Sequence, residues 1–260
     1  MLLLTLAALA FVEVQAIDVH ALATHAPERT ALMRQREREA REEGRTYREQ
    51  RNWVAYEQIS PHLRRAVLIA EDDAFFSHNG LDWNEIRASA RKDIASGRTA
   101  RGGSTITQQL AKNLWLSSER SFMRKFKEMI LAVRLEGALP KKRIFELYLN
   151  EIEWGDGIYG ADAAARHWFG TSATGLDARE SVRLAAVIIN PRRFSPAEPP
   201  KRIERRARMI ASRMRRRGEL SANDYRAVLG LPPETPAPAV DTTSAGQSNG
   251  AAPDTGTAPR

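Results

Sequence analysis

Three stretches of this sequence gather side chains able to act on a charged, hydroxyl-rich substrate. The first is Glu71-Asp72-Asp73 with Phe75, Phe76 and His78 behind it, closing an apolar helical run of Ala66, Val67, Ile69 and Ala70. A carboxylate there, with a reference pKa of about 4.3, is ionised near neutral pH and can serve as a general base. The plainer reading is that Glu71 or Asp72 pairs with a base or caps the next turn. The second stretch runs from Arg101-Gly102-Gly103-Ser104 to Asn113. Its glycines make a flexible loop feeding a helix amino terminus, whose free amides attract anions. Along that helix Thr105, Gln108, Gln109 and Lys112 share a polar face, and Ile106, Leu110 and Leu114 an apolar one. A lysine, two amides and a hydroxyl suit sugar hydroxyls and phosphate. The third stretch is Arg124-Lys125-Phe126-Lys127-Glu128. Its spacing reads as an intrahelical ion pair, or as a second carboxylate organising cations or a metal beside a phosphate.

Two mimics fall away. Gly97 and Gly102 open like a P-loop, but Gly103 stands where the lysine must be. Ser104 lacks the Gly-x-Ser-x-Gly surround of a hydrolase nucleophile. The chain has no cysteine, which excludes disulfide scaffolds, thiolate zinc sites and thiol nucleophiles. Its five histidines show no metal-ligand spacing such as HExxH.

The elements that must hold these residues read as mostly α, because alternating β-branched runs hardly occur. With 260 residues and 42% hydrophobic content the chain can bury a core of its own. Residues 1–27 read as a weak or truncated membrane anchor: an apolar run of eleven residues, interrupted by Thr5, follows Met1, and any longer span must bury Glu13, Gln15 and Asp18. Residues 28–52 are densely charged and read as a solvated helix or spacer. Residues 53–230 form the globular domain. Residues 231–260, rich in proline, alanine and threonine without an aromatic, cannot bury enough apolar surface to order and read as a disordered tail. The formal net charge of +8 has one address, because segment 201–217 carries nine basic residues and one acid. Ile203, Ala207, Ile210 and Met214 recur there at helical spacing. That helix either docks its stripe on a core or meets a polyanion.

Five ordered blocks resemble the peptidoglycan glycosyltransferase family. They read Glu71-Asp72-x-x-Phe75-x-x-His78-x-Gly80; Gly102-Gly103-Ser104-Thr105-Ile106-x-Gln108-Gln109-x-x-Lys112-Asn113; Arg124-Lys125-x-x-Glu128; Lys141-x-x-Ile144-x-Glu146-x-Tyr148-Leu149-Asn150; and Gly155-x-Gly157-x-Tyr159-Gly160. The resemblance covers about 53–195 and leaves no length for a transpeptidase domain, so it points to the monofunctional type. It implies a lysozyme-like fold with a larger head lobe and a smaller, membrane-facing jaw lobe. It implies polymerisation of a lipid-linked disaccharide-peptide, lipid II, on the periplasmic side of a bacterial inner membrane. Glu71 would be the general base of an inverting transfer, and Glu128 the second essential carboxylate. Lys112, Arg124 and Lys125 would neutralise the leaving diphosphate, with a divalent cation, Mg or Mn, as the one cofactor in question and no organic cofactor. Thr105, Gln108, Gln109 and Asn113 would line the donor site. Arg87, one position early against the family's pattern, would touch phosphate. Partners would be lipid II, the growing glycan, inner-membrane lipids and cell-wall synthesis or division proteins, but no nucleic acid. Around 115–123, Trp115, Leu116, Phe122 and Met123 would insert shallowly into the bilayer or pack on the domain. A lytic enzyme of the same fold, a non-catalytic scaffold and a nucleic-acid binder are the rival readings.

Overall fold

The computed structural model describes residues 10–96, 103–116 and 121–234. Its main helices are α1 (Ala31–Glu42), α2 (Pro61–Glu71), α3 (Trp83–Ser96), α4 (Ile106–Trp115), α5 (Phe122–Ala138), α6 (Lys141–Glu151), α7 (Ala161–Phe169), α8 (Ala178–Val187), α9 (Lys201–Arg216) and α10 (Ala222–Leu229). The expected mostly-α architecture is what forms. The Gly-rich stretch after α6 is a short hairpin. There β2 (Glu153–Gly155) runs antiparallel to β3 (Ile158–Tyr159), and β1 (Gln50–Arg51) adds in parallel to β3. Gly157 turns the hairpin at φ +73°, where a Cβ would fall 2.2 Å from the Arg48 carbonyl oxygen.

Local signals set the helix starts. Pro61 opens α2, and capping boxes at Thr105 and Asp177 open α4 and α8. The helices pack in two groups around one continuous apolar core. In the first, α2, α8, α9 and α10 lie against one another; in the second, α4 packs on α5, α6 and α1. The carboxyl end of α2 lies where the groups meet.

The basic helix resolves in favour of docking: Ile203, Ala207, Ile210 and Met214 are all buried, and its arginines other than Arg206 lie exposed on the outside. In the charged segment 28–52, expected as a solvated helix or spacer, a helix forms, and it is docked rather than fully solvated. Within it α1 buries Met33 and Ala40, and Thr30 caps it from a fully buried position. Two apolar side chains on one face suffice to dock a helix whose mean composition is polar.

Residues 10–15 are helical, but the chain then turns and lies along α5. Arg134 donates to the carbonyls of Val14 and Ile17, Lys127 pairs with Glu13 at 2.5 Å, and Val14, Val19 and Leu22 join the core. Among the described residues no helix is long and apolar enough to cross a membrane. Residues 1–9 of the expected anchor, and the expected tail from 235 onward, lie outside the described residues.

Candidate active site

The site begins with a clasp between helices that are distant in sequence. Asp72, the residue after the last turn of α2, accepts from the Ile106 amide at 2.9 Å, the first amide of α4. A carboxylate at a helix amino terminus is favoured by both the free amides and the dipole. The His78 Nε2 lies 3.1 Å from both Asp72 oxygens and fixes the carboxylate from the other side. Thr105 completes the joint. Its hydroxyl donates to the Gly80 carbonyl at 2.6 Å and accepts from the Gln108 amide at 3.2 Å, while the Gln108 side chain accepts from the Thr105 amide at 3.0 Å. Gly80 sits at φ +84°, with space for a Cβ only 3.1 Å from the Ala132 carbonyl. No other residue fits that turn without strain.

The clasp places Glu71 across from the polar face of α4. Its Oε2 accepts from Gln109 Nε2 at 3.1 Å, and the Gln109 carbonyl in turn accepts from the Tyr148 hydroxyl at 3.0 Å. The other oxygen, Oε1, accepts from Arg206 of α9 at 2.9 Å. Burial pushes the Glu71 carboxyl above its ordinary pKa, opposed by Arg206, by the Gln109 hydrogen bond and by Lys112. Tyr148 is fully buried, which holds its phenol far above its usual pKa and makes it a fixed donor. Glu71 faces a cleft of about 400 Å³, also lined by Ser104, Thr105, Glu85 and Arg213.

One turn along α4, Lys112 faces a second carboxylate. Glu128 is 3% exposed, with Oε2 on Arg124 at 2.9 Å and Oε1 on Lys125 at 2.5 Å; Lys125 also donates to the Ser104 hydroxyl at 2.7 Å. Burial lowers the Lys112 pKa; Glu128 resists that, and Arg124 and Lys125 add to it. Three cations around one carboxylate leave an excess of two positive charges, a setting suited to an anionic ligand. Lys112 acts on Glu71 as well as sensing Glu128, so it stands electrostatically between the two carboxylates.

The family model described as Transglycosylase matches residues 37–215. The chain belongs to the transglycosylase family. A relative from Azoarcus sp. (strain BH72) named biosynthetic peptidoglycan transglycosylase is 47% identical over 191 residues, covering 74% of this chain and 82% of the relative. A protein of the same name from Methylobacillus flagellatus is 49% identical over 163 residues, 63% of this chain and 71% of its own. One from Nitrosomonas eutropha is 44% identical over 191 residues, 74% and 78% of the two chains.

Within this transglycosylase domain the expected site residues take different places. Glu71, Gln109, Lys112, Arg124, Lys125 and Glu128 form the array above. Thr105 and Gln108, expected on a ligand-facing surface, are 3% and 1% exposed and form the capping box of α4, although Thr105 still touches the edge of the Glu71 cleft. Asn113 is likewise buried. Gln109 meets Glu71, so its amide positions a carboxylate rather than offering itself to a sugar. Arg87 is exposed on α3 and lines no part of the Glu71 cleft. Trp115 and Leu116 pack on the core, whereas Phe122 is 99% exposed; residues 117–120 lie outside the described residues. Sequence reading missed Arg206. Its signal was there, as an arginine breaking the outer pattern of α9 beside Ala207, but nothing in the sequence pairs it with Glu71.

A divalent cation finds no ready cage. Among the described residues no three of His, Asp and Glu come together as ligands, and both Glu128 oxygens are already taken by cations. These donors do not fit a protein-held metal.

Proposed function

We propose that this transglycosylase elongates the glycan of peptidoglycan, joining the anomeric carbon of a lipid-diphosphate-linked donor chain to the sugar 4-hydroxyl of an incoming lipid-linked disaccharide-peptide. The observation that carries the reading is the pair of buried carboxylates with Lys112 between them, one held by Gln109 and Arg206 at the edge of the cleft and the other wrapped in cations. Glu71 accepts the proton of the acceptor hydroxyl as its oxygen bonds to the anomeric carbon. The bond from that carbon to the diphosphate oxygen breaks with inversion. Diphosphate is a good leaving group that needs its growing charge met rather than a proton, and Lys112, Arg124 and Lys125 are preorganised for that. Glu128 keeps those cations from repelling one another while the site is empty. A hydrolase acting on neutral glycan has no use for such a cluster.

Work on peptidoglycan implies association with the cell envelope. The finer location we assign is the periplasmic face of the inner membrane. In support, Phe122, Phe126 and Val133 lie exposed along one face of α5, and Phe11 and Val12 are exposed in the helical residues packed near it. Lipid II, the growing glycan and membrane lipids are the corresponding partners, with cell-wall synthesis or division proteins beyond them.

The test is polymerisation of fluorescent lipid-linked disaccharide by the wild-type chain and by Glu71→Gln, which keeps the shape and removes the base. Long glycan from the first and none from the folded second is expected. Equal activity in both sinks Glu71 as base. Cleavage of finished peptidoglycan without any polymerisation makes the enzyme lytic instead.

A further inference from the structure

We propose that Arg206 is a positioning residue for the reaction, holding one oxygen of the charged Glu71 carboxylate from α9 while Gln109 holds the other from α4. The inference rests on Glu71 as the base, and it adds a residue from outside the five motif blocks. Glu71 ends α2 at the junction of the two helix groups, and each carboxylate oxygen is tied to a different group. Oε1 is 2.9 Å from the Arg206 terminal nitrogen, and Oε2 is 3.1 Å from Gln109. The same Arg206 nitrogen donates to the Ala70 carbonyl at 3.0 Å, gripping the last turn of α2 by its backbone and its carboxylate together.

The rest of the guanidinium argues against a purely structural role. Its Nε is buried without a hydrogen-bond partner. An arginine retained only to knit helices together would spend that donor on a carbonyl, since leaving it unmet costs about 1–3 kcal/mol. Here the side chain reaches past it to place its terminal nitrogen on Glu71. The geometry has a chemical use. A base buried this deeply drifts towards its neutral form, which cannot take a proton. An adjacent guanidinium, which never loses its own proton, keeps the carboxylate ionised and aimed.

Other groups act around Glu71, and none duplicates this contact. From α4 come Gln109 and Lys112, and from α6 the Tyr148 phenol, which reaches Glu71 only through Gln109. From α9 Arg213 also lines the cleft. The neighbouring acids Asp72, Asp73, Asp82 and Glu85 line the same cleft. The charged residues of α8, the other helix packed on α2, do not line it. Among the groups that hold Glu71 ionised, Arg206 is the strongest.

The experiment is a pH series on the full chain with Arg206→Met and Arg206→Lys, read in two ways. Polymerisation of lipid-linked disaccharide gives kcat and KM, and carbon-13 NMR of labelled glutamate, assigned with Glu71→Gln, gives the Glu71 titration directly. In Arg206→Met the Glu71 midpoint and the acid limb of kcat move up together by about one unit or more, as expected on losing an opposite charge at this range. KM stays within about twofold, because Arg206 does not face the cation cluster. Arg206→Lys keeps both midpoints near the wild type. If the methionine variant does not fold, Arg206→Gln, which retains a donor for Ala70 without the charge, takes its place. A Glu71 midpoint unmoved by the neutral variant overturns the proposal, as does a loss of kcat equal at every pH. The NMR readout needs no turnover, so a wild-type enzyme inactive on this substrate overturns the proposed function while leaving the Arg206 contact still to be judged.

Discussion

Replacing Tyr148 with phenylalanine removes one oxygen and leaves the ring where it stacks, 6.4 Å from Phe145 between centroids. What is lost is the donor that fixes which end of the Gln109 amide faces Glu71. Without it the Gln109 carbonyl goes unmet in a half-buried place, a cost of about 1–2 kcal/mol in folding stability. The effect on activity has an upper bound. A hydrogen bond to a charged group is worth about 1.5–3 kcal/mol, so complete loss of the Gln109 to Glu71 contact would slow the reaction by about 10–150-fold. The carboxylate itself still prefers the NH2 end of the amide, so the contact weakens rather than vanishes. The expected fall in kcat is therefore about tenfold, with KM unchanged within about twofold. Weaker hydrogen bonding to the ionised form also moves the acid limb of the pH profile upward. Steady-state polymerisation over a pH series reads both, with a thermal melt to confirm folding. The decisive comparison is a double-mutant cycle with Gln109→Ala. Once the amide is gone, Tyr148→Phe should cost kcat no more than about a further twofold. Fully additive losses, or a loss carried by KM, would refute the chain Tyr148 to Gln109 to Glu71.

Three further outcomes follow from the same geometry. Glu128→Gln leaves Lys112, Arg124 and Lys125 repelling one another and removes a carboxylate that supports the Lys112 charge; the basic limb of kcat/KM should move to lower pH and KM rise, while a profile unchanged in shape would show that Lys112 need not be charged. Met33→Ala should destabilise the whole domain by about 2–5 kcal/mol, because Met33 is 0% exposed on α1; a chemical denaturation curve indistinguishable from the wild type would return α1 to the role of a spacer. Burial pushes the Glu151 carboxyl up to about 7 despite Arg51 beside it. The folded chain then holds that proton more tightly than the unfolded one, so this term favours folding at low pH and is lost as pH rises from about 5 to 8, by about 3 kcal/mol at most. Denaturation at several pH values should show that slope, and Glu151→Gln should flatten it.

Much of this site was legible because the sequence carries its chemistry in blocks whose spacing is helical. Glu128 with Arg124 and Lys125 is an i, i+3, i+4 set, and the ion pairs form as the spacing predicts. The apolar stripe of α9 buried itself for the same reason. What stayed hidden depends on contacts between helices. The polar face of α4 could be read, but not that Thr105 and Gln108 would turn inward to cap it, since capping and ligand binding want the same side chains. Nor does any local pattern say that Arg206 meets Glu71 across 135 positions of chain. The charged composition of 28–52 left a solvated helix and a spacer equally open, because the four apolar residues of α1 weigh little against its eight polar ones in any average.

The Asp72 to Ile106 hydrogen bond has one more consequence. It is a short circuit: the base and the helix bearing the lysine are fastened to each other directly, and Gly80 is fastened to Thr105 beside them. The stretch between, from about residue 82 to 103, therefore adds nothing to the distance between Glu71 and Lys112. What the fastening relieves is spacing and not chemistry, because Asp82, Glu85 and Gly103 at the two ends of that stretch still line the cleft that Glu71 faces.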